Sequence, residues 1–394
     1  MKNWVKRSLD EVCELITCGV AARPNYVDEG VPFLSAKNVK DGQIVWSGYN
    51  CVSEQTHKEL TKNNKPLVGD ILYTRVGSYG EAAVIEDDFE FSVFVSLTLI
   101  KVDKSVLNNY FLKHYLNSDF VKRLAKKSIS SSGVGNLNVG TVREFPILLP
   151  PLPEQQRIVA ILDEAFAAIA KAKANAQQNL QNAKELFESH LQRVFENKGE
   201  GWEEKTLKEV CEYEKTPHNK SDLPYVGLED IQSNSGLFIG TFEPKSVKST
   251  TFRFTNEHVL YGRLRPYLNK VLLPDFEGHC STEIFPIKPK KDVLDRTYLF
   301  HWLIATETMK KINATWTGAT LPRANMNTVL DFKLVVPPFK TQRTIVQKLD
   351  ALNAETKKLE SIYQQKINDL EELKKSVLQK AFAGELKTDK VVAV

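Results

Sequence analysis

This chain is written twice. Residues 3–14 (NWVKRSLDEVCE) recur as residues 201–212 (GWEEKTLKEVCE) with six of twelve positions identical. Residues 150–163 (PPLPEQQRIVAILD) recur as 337–350 (PPFKTQRTIVQKLD) with seven of fourteen identical and no gap. The register persists, since Leu191, Gln192 and Phe195 reappear as Leu378, Gln379 and Phe382. Two helices sharing a common heptad would not also share the Trp…Leu…Glu-Val-Cys-Glu segment, so the repeat is a tandem duplication.

Each copy has the same two-part layout. A mixed segment comes first, with short β-type runs at 70–75, 91–100 and 283–287 punctuated by Gly and Asn/Asp turns, and one helix near 106–127 or 295–312. A proline pair (Pro150-Pro151, Pro337-Pro338) stops the last strand, because proline fixes φ and donates no backbone hydrogen bond. A long helix follows. Residues 154–196 contain no Pro or Gly, and Ile158, Leu162, Ala165, Ile169, Ala172, Ala176, Ala183 and Leu186 step by threes and fours. Ile345, Leu349, Leu352, Leu359, Tyr363, Leu370, Leu373 and Val377 keep that rhythm in the second copy, a coiled-coil period. Gly199 and Gly384 stand where C-caps belong.

A helix of that length rises about 65 Å, too long to be buried in one small domain, so each seam needs the other as partner. The expected fold is α+β: two mixed domains, each followed by a long helix, the helices pairing as an antiparallel coiled coil with a domain at each end. The boundaries read as a first mixed domain at 1–152, a helix at 153–197, a second mixed domain at 198–339, a helix at 340–384 and a tail at 385–394. Ile158, Leu162, Ile169, Leu186, Ile345, Leu349, Leu352, Leu359, Leu370 and Leu373 are the expected helix-interface residues.

Composition adds limits. With 42% apolar and 26% charged residues the chain is globular rather than disordered, and no apolar run reaches membrane-spanning length. The N-terminus breaks into charge too early for a signal peptide, and five scattered cysteines fit reduced thiols, so a cytoplasmic, membrane-free protein is expected. Fifty-three basic against 49 acidic residues permit nucleic-acid binding through local patches without requiring it.

Phosphate-loop, dinucleotide, zinc-protease, nucleophile-elbow and nuclease signatures are missing, and no metal-ligand spacing is present. Val336-Pro-Pro-Phe339 resembles the Asn/Asp-Pro-Pro-aromatic motif of amino-methyltransferases but lacks the side-chain oxygen that holds the amino group. The chain is expected to be no enzyme. Basic residues gather instead: Lys122, Lys126 and Lys127 crowd one helix that runs into a loop carrying Ser131, Asn136 and Asn138. The second copy places Thr317, Thr320, Arg323 and Asn325 at the matching point. Such residues suit close approach to phosphates and base edges; the competing reading is a solvated helix face. A second cluster follows the central strand, as Arg75, Ser78 and Tyr79 in one copy and Arg263, Arg265, Tyr267, Asn269 and Lys270 in the other. Arginine forks grip guanine or phosphate bidentately, although Arg263 could pair with an internal acid, and Tyr261 alternates into the core. A third loop sets Lys37-Asn38 against Glu229-Asp230, so it would choose different bases in the two copies.

The order of these parts resembles the specificity (S) subunit of type I restriction–modification systems, the HsdS family, over essentially the whole chain. The most specific pieces are residues 150–163, the Arg-Pro-Tyr-Leu-Asn-Lys run at 265–270 and residues 378–386. The second proline segment, PPFKTQ, departs from PPLPEQ of the first. The resemblance implies two target-recognition domains, each reading half of a bipartite, asymmetric double-stranded DNA site. It also implies a helical platform for two methyltransferase (M) subunits and for restriction (R) subunits. No cofactor is then expected in this chain, and S-adenosylmethionine, ATP and Mg belong to the partners. The alternative reading is a coiled-coil interaction scaffold without sequence-specific readout.

Overall fold

The repeated Trp…Leu…Glu-Val-Cys-Glu segment is a capping box that turns one strand into another. In a computed structural model describing residues 4–77, 79–129, 135–197, 199–218, 222–318 and 320–386, the Ser8 amide donates to Glu11 Oε2 at 2.6 Å, and the Thr206 amide to Glu209 Oε2 at 2.6 Å. Each box starts a four-residue helix, Leu9–Val12 or Leu207–Val210, whose Leu and Val are buried. The strand before it, Val5–Ser8 or Glu203–Thr206, pairs antiparallel with the strand leading to the proline pair, Pro146–Leu149 or Lys333–Val336. The two ends of each mixed segment are thereby tied together.

The strand after the box edges a four-stranded antiparallel sheet. In the first copy Leu97–Val102 lies between Cys13–Cys18 and Ile71–Thr74, with Ala82–Val84 beyond. In the second, Ile284–Pro289 lies between Cys211–Tyr213 and Val259–Gly262, with Val271–Leu272 beyond. Tyr73 and Tyr261 are core residues at matching points. Burial pushes the thiols of Cys13 and Cys211 up to about 12, and all five cysteines are free.

The helix expected near 106–127 is two helices, Asn109–Leu116 and Asp119–Lys127, because Ser118 leaves helical geometry and accepts from the Val121 amide as an N-cap. Its counterpart splits at Ala305, ψ 135°, into Arg296–Ile304 and Thr306–Asn313. The strand expected at 91–100 likewise divides into Ser92–Val93 and Leu97–Val102.

The long helices run over Leu152–Glu196 and Phe339–Phe382. The second ends in a Schellman turn: Gly384 takes φ 70° and the Glu385 amide donates to Lys380 O at 2.9 Å. Gly199 is not a left-handed cap. Its small size is needed because a Cβ there would lie 2.6 Å from Trp202 Nε1.

The repeated proline–glutamine motif attaches helix to domain. Gln155 Oε1 accepts from the Asn108 amide (2.8 Å) while Nε2 donates to Val106 O (2.9 Å) and Pro150 O (2.8 Å). Gln342 repeats every bond: Asp295 N at 2.7 Å, Val293 O and Pro337 O both at 2.8 Å. Two turns on, the motif's aspartates hold buried histidines, Asp163 with His114 and Asp350 with His301, each at 2.9 Å.

Among the described residues the chain divides into two compact units, one running to Asn175 and resuming at Lys366, the other Ala176–Gln365. Within the first, Leu378 and Ala381 share a core with Ile158 and Leu162, and the Phe382 ring packs 5.2 Å from Phe111. Within the second, Leu349 is buried with Leu191, and Phe195 packs 5.2 Å from Tyr298. The repeated Phe at each helix end therefore does one job in each unit. Three expected seam residues face solvent: Leu186, Leu359 and Leu373. Ile169, Ala176 and Ala183 continue the buried stripe of the first helix from Leu162, and Thr356 and Ile367 that of the second from Leu349. Ile345, Leu352 and Leu370 are half-buried. Among the described residues no helix is long and apolar enough to cross a membrane.

Candidate nucleic-acid interface

The two polar clusters of each copy, far apart in sequence, lie side by side. At the end of the central strand Arg75 O accepts from the Leu137 amide at 2.8 Å, and Val76 bridges to Asn136. In the second copy Arg263 O accepts from the Ala324 amide at 2.9 Å, and Leu264 bridges to Arg323. One short ladder thus joins the strand-end loop to the loop before the next five-residue helix in both domains.

The side chains of these loops lock them together. Arg75 is 7% exposed and donates from Nε to Leu137 O (2.8 Å), from Nη1 to Val95 O (3.0 Å) and from Nη2 to Asn136 Oδ1 (3.0 Å). In the second domain Glu283 receives Arg263 Nε at 2.7 Å and Arg323 Nε at 3.0 Å. Burial pushes the Glu283 carboxyl up, but the two guanidiniums outweigh it and hold it below the ordinary carboxylate range. One domain closes its loop pair with an arginine on carbonyls and an amide, the other with two arginines on one carboxylate.

Three expected DNA contacts, Arg75, Asn38 and Asn269, are buried, and others have partners within the protein. Arg75 is buried as a clamp, and Arg263 and Arg323 are paired internally. Asn38 is fully buried; its Oδ1 accepts from the Ser35 amide and its Nδ2 donates to Val45 O and Ser47 O. Asn269 is buried with Nδ2 on Ile304 O at 3.0 Å. Lys270 Nζ donates to Leu228 O at 2.5 Å, and Lys122 pairs with Glu81 at 2.6 Å. Asn136 accepts from Arg75, while Asn138 and Asn325 cap the helices Val139–Arg143 and Met326–Leu330. Asn and Arg were read as base readers, but most serve the loops' own backbone.

The exposed set is shorter. Lys37, Lys126, Lys127, Asn136, Asn138, Arg265, Tyr267, Thr317, Thr320 and Asn325 are at the surface and Tyr79 is half-buried, whereas Ser78 and Ser131 lie outside the described residues. Helix Asp119–Lys127 buries Val121 and Ala125 and turns Arg123, Lys126 and Lys127 outward. Asp230 repeats the turn cap of Asn38, its Oδ2 accepting from the Gly227 amide at 2.7 Å, so the contrast between copies narrows to exposed Lys37 against exposed Glu229. Sequence reasoning passed over Trp316, which is 51% exposed; it stood in the loop already singled out for its polar residues. Val336, in the methyltransferase-like tetrapeptide, is a buried strand end. Among the described residues no group of three or more His, Cys, Asp or Glu is placed to hold a metal ion.

Both copies match one family model, the type I restriction modification DNA specificity domain, over residues 1–180 and 199–372. The chain is 22% identical to the putative type I restriction enzyme MjaX specificity subunit of Methanocaldococcus jannaschii, spanning 98% of this chain and 94% of that one. It is 26% identical to the Escherichia coli type I restriction enzyme EcoDI specificity subunit over 66% of this chain and 67% of the other. Its fold matches a chain from a structural study of complex assembly and conformational transition of the type I R-M system, with TM-score 0.76 and 18% identity over 97% and 98% of the two chains. It also matches the crystal structure of the HsdS subunit from Thermoanaerobacter tengcongensis, TM-score 0.58 and 18% identity over 97% of each.

Proposed function

The chain belongs to the type I restriction–modification DNA specificity-subunit family, and from that premise we propose that each of its mixed domains reads one half of a split, asymmetric DNA target while partner subunits do the chemistry. The observation that carries this reading is the loop pair built twice on one backbone ladder with unlike side chains. A shared frame keeps each reading surface in a fixed orientation to its own domain. Unlike residues, Lys37 against Glu229 and Gly77 against Arg265, suit two different half-sites rather than a palindrome.

In this reading the chain is the non-catalytic member of the complex. Two methyltransferase subunits bring S-adenosylmethionine, and restriction subunits bring ATP and Mg. The long helices pair as an antiparallel coiled coil. In the first unit the start of one helix packs with the end of the other, tied by Lys173 to Glu371 at 2.7 Å; in the second unit the roles reverse. A groove repeated in both units supports two copies of one partner. In the first it is 440 Å³, between Tyr115, Phe120, Leu148 and Phe382; in the second it is 310 Å³, between the matching Trp302, Glu307, Val335 and Phe195. Partners that supply their own phosphate contacts also fit a net charge of only +4.

The test is long-read sequencing of host DNA for methylated bases, with and without this gene. Bipartite motifs that vanish with the gene support the reading. Methylation unchanged by its loss would leave the interaction scaffold as the better account.

A further inference from the structure

The second domain exposes three large apolar side chains on its loop pair: Trp316 (51%), Tyr267 (47%) and Leu321 (43%). The Trp316 and Tyr267 rings lie 6.4 Å apart at 85°, edge to face. Their backbone is fixed. Thr317 and Arg323 exchange both backbone hydrogen bonds at 3.1 Å, and Gly318 (φ +94°) turns the chain between them. Tyr267 sits on a single 3₁₀ turn bounded by two left-handed residues, Arg265 (φ 51°) and Asn269 (φ 44°). The Arg265 amide donates to Pro322 O at 2.7 Å, joining that turn to the hairpin. Non-glycine residues held left-handed cost free energy, and here two of them flank one exposed tyrosine. Large apolar groups in water on a rigid frame mark a binding surface.

The first domain builds the same pair differently. A Cβ on Gly135 would lie 3.2 Å from Ile129 Cγ2 and 3.4 Å from Tyr79 Cε1, so Tyr79 and Ile129, at the positions matching Tyr267 and Trp316, both flank Gly135. Both are half-buried, and isoleucine has no π face. Among the described residues the exposed aromatic pair is found on the second domain's loop pair and not on the first's.

Resting on the reading of these loops as a DNA face, we propose that Trp316 and Tyr267 form a nucleobase-stacking site at the second half-site, with no counterpart at the first. A base is favoured over a protein segment because the platform is flanked by exposed Arg265, Thr317 and Thr320 on the same two loops. Among the described residues the Arg265 guanidinium has no ion-pair partner, leaving it to meet the adjoining phosphate. The second domain therefore holds an unstacked base or wedges a base step, whereas the first reads a regular duplex.

The full chain is titrated with duplexes carrying both half-sites, the first alone or the second alone, following tryptophan emission and affinity. Target duplex should quench the emission, and Trp316→Phe should abolish that quench while keeping affinity within about threefold. Trp316→Ala should weaken binding about tenfold or more to duplexes containing the second half-site, and leave the first alone unchanged. Full affinity in Trp316→Ala together with full quenching in Trp316→Phe overturns the proposal and leaves the DNA-reading function standing. Wild-type chain that binds no duplex overturns that function instead. Normal DNA binding by Trp316→Ala with loss of methyltransferase-subunit capture makes the platform a protein contact, which also contradicts the proposal.

Discussion

Gln155 and Gln342 show how much a single repeated side chain can do. Each satisfies a backbone amide and two carbonyls, among them one from the segment before a recognition-domain helix and one from the proline pair. Gln155→Ala leaves all three groups unpaired and should cost about 2–4 kcal/mol, read as a lower urea midpoint. His114 gives a second prediction. Burial lowers its pKa to about 4, helped by Lys113 and Lys374 and opposed by Asp163. The unfolded imidazole titrates near 6.5, so between those values the unfolded chain binds more protons. This stability is present above pH 6.5 and lost as pH falls toward 4, amounting to at most about 3 kcal/mol. His114→Gln should flatten the stability–pH slope across that interval, with His301, lowered mainly by burial, supplying what remains. Arginine was the residue type least legible from sequence. A guanidinium suits a phosphate and a row of carbonyls equally well, and only the Arg75–Leu137 ladder reveals which it meets. Arg75→Ala should accordingly lower stability by about 2–3 kcal/mol, seen in thermal unfolding, rather than relax one target position.

Elements were easier to read than side chains. The duplication, the proline stops and the absence of Pro and Gly located both long helices to within two residues at each end. The mixed segments were harder, since the two split helices depend on a serine cap in one copy and a lone extended alanine in the other. Helix period alone also misplaced part of the seam. Leu186, Leu359 and Leu373 satisfy the 3–4 spacing but point outward, because the buried stripe runs through Ala176 and Ala183 on the first helix and through Thr356 and Ile367 on the second. Leu349→Ala, at a position with no exposure, should cost about 2–5 kcal/mol. Leu186→Ala should change stability by no more than about 0.5 kcal/mol. Chemical denaturation of the two variants side by side checks the register.

For the whole molecule, the elements the two frames share and the divergence of the two surfaces are the facts to be reconciled. Framework positions persist between copies: capping boxes, Gln–backbone bonds, His–Asp pairs and loop ladders. Surface positions drift, from lysine to glutamate at 37 and 229 and from isoleucine to tryptophan at 129 and 316. A scaffold that only displayed helices would give no reason for two unlike surfaces on one preserved frame. Two readers of unlike half-sites require it. The most direct measurement is selection from a randomised duplex pool by the assembled complex, using the wild-type chain and Arg265→Ala in parallel. The wild type should return two conserved blocks separated by a spacer of unconstrained sequence, and the variant should relax positions in one block only. A single continuous block, or loss of information from both blocks together, would contradict the account.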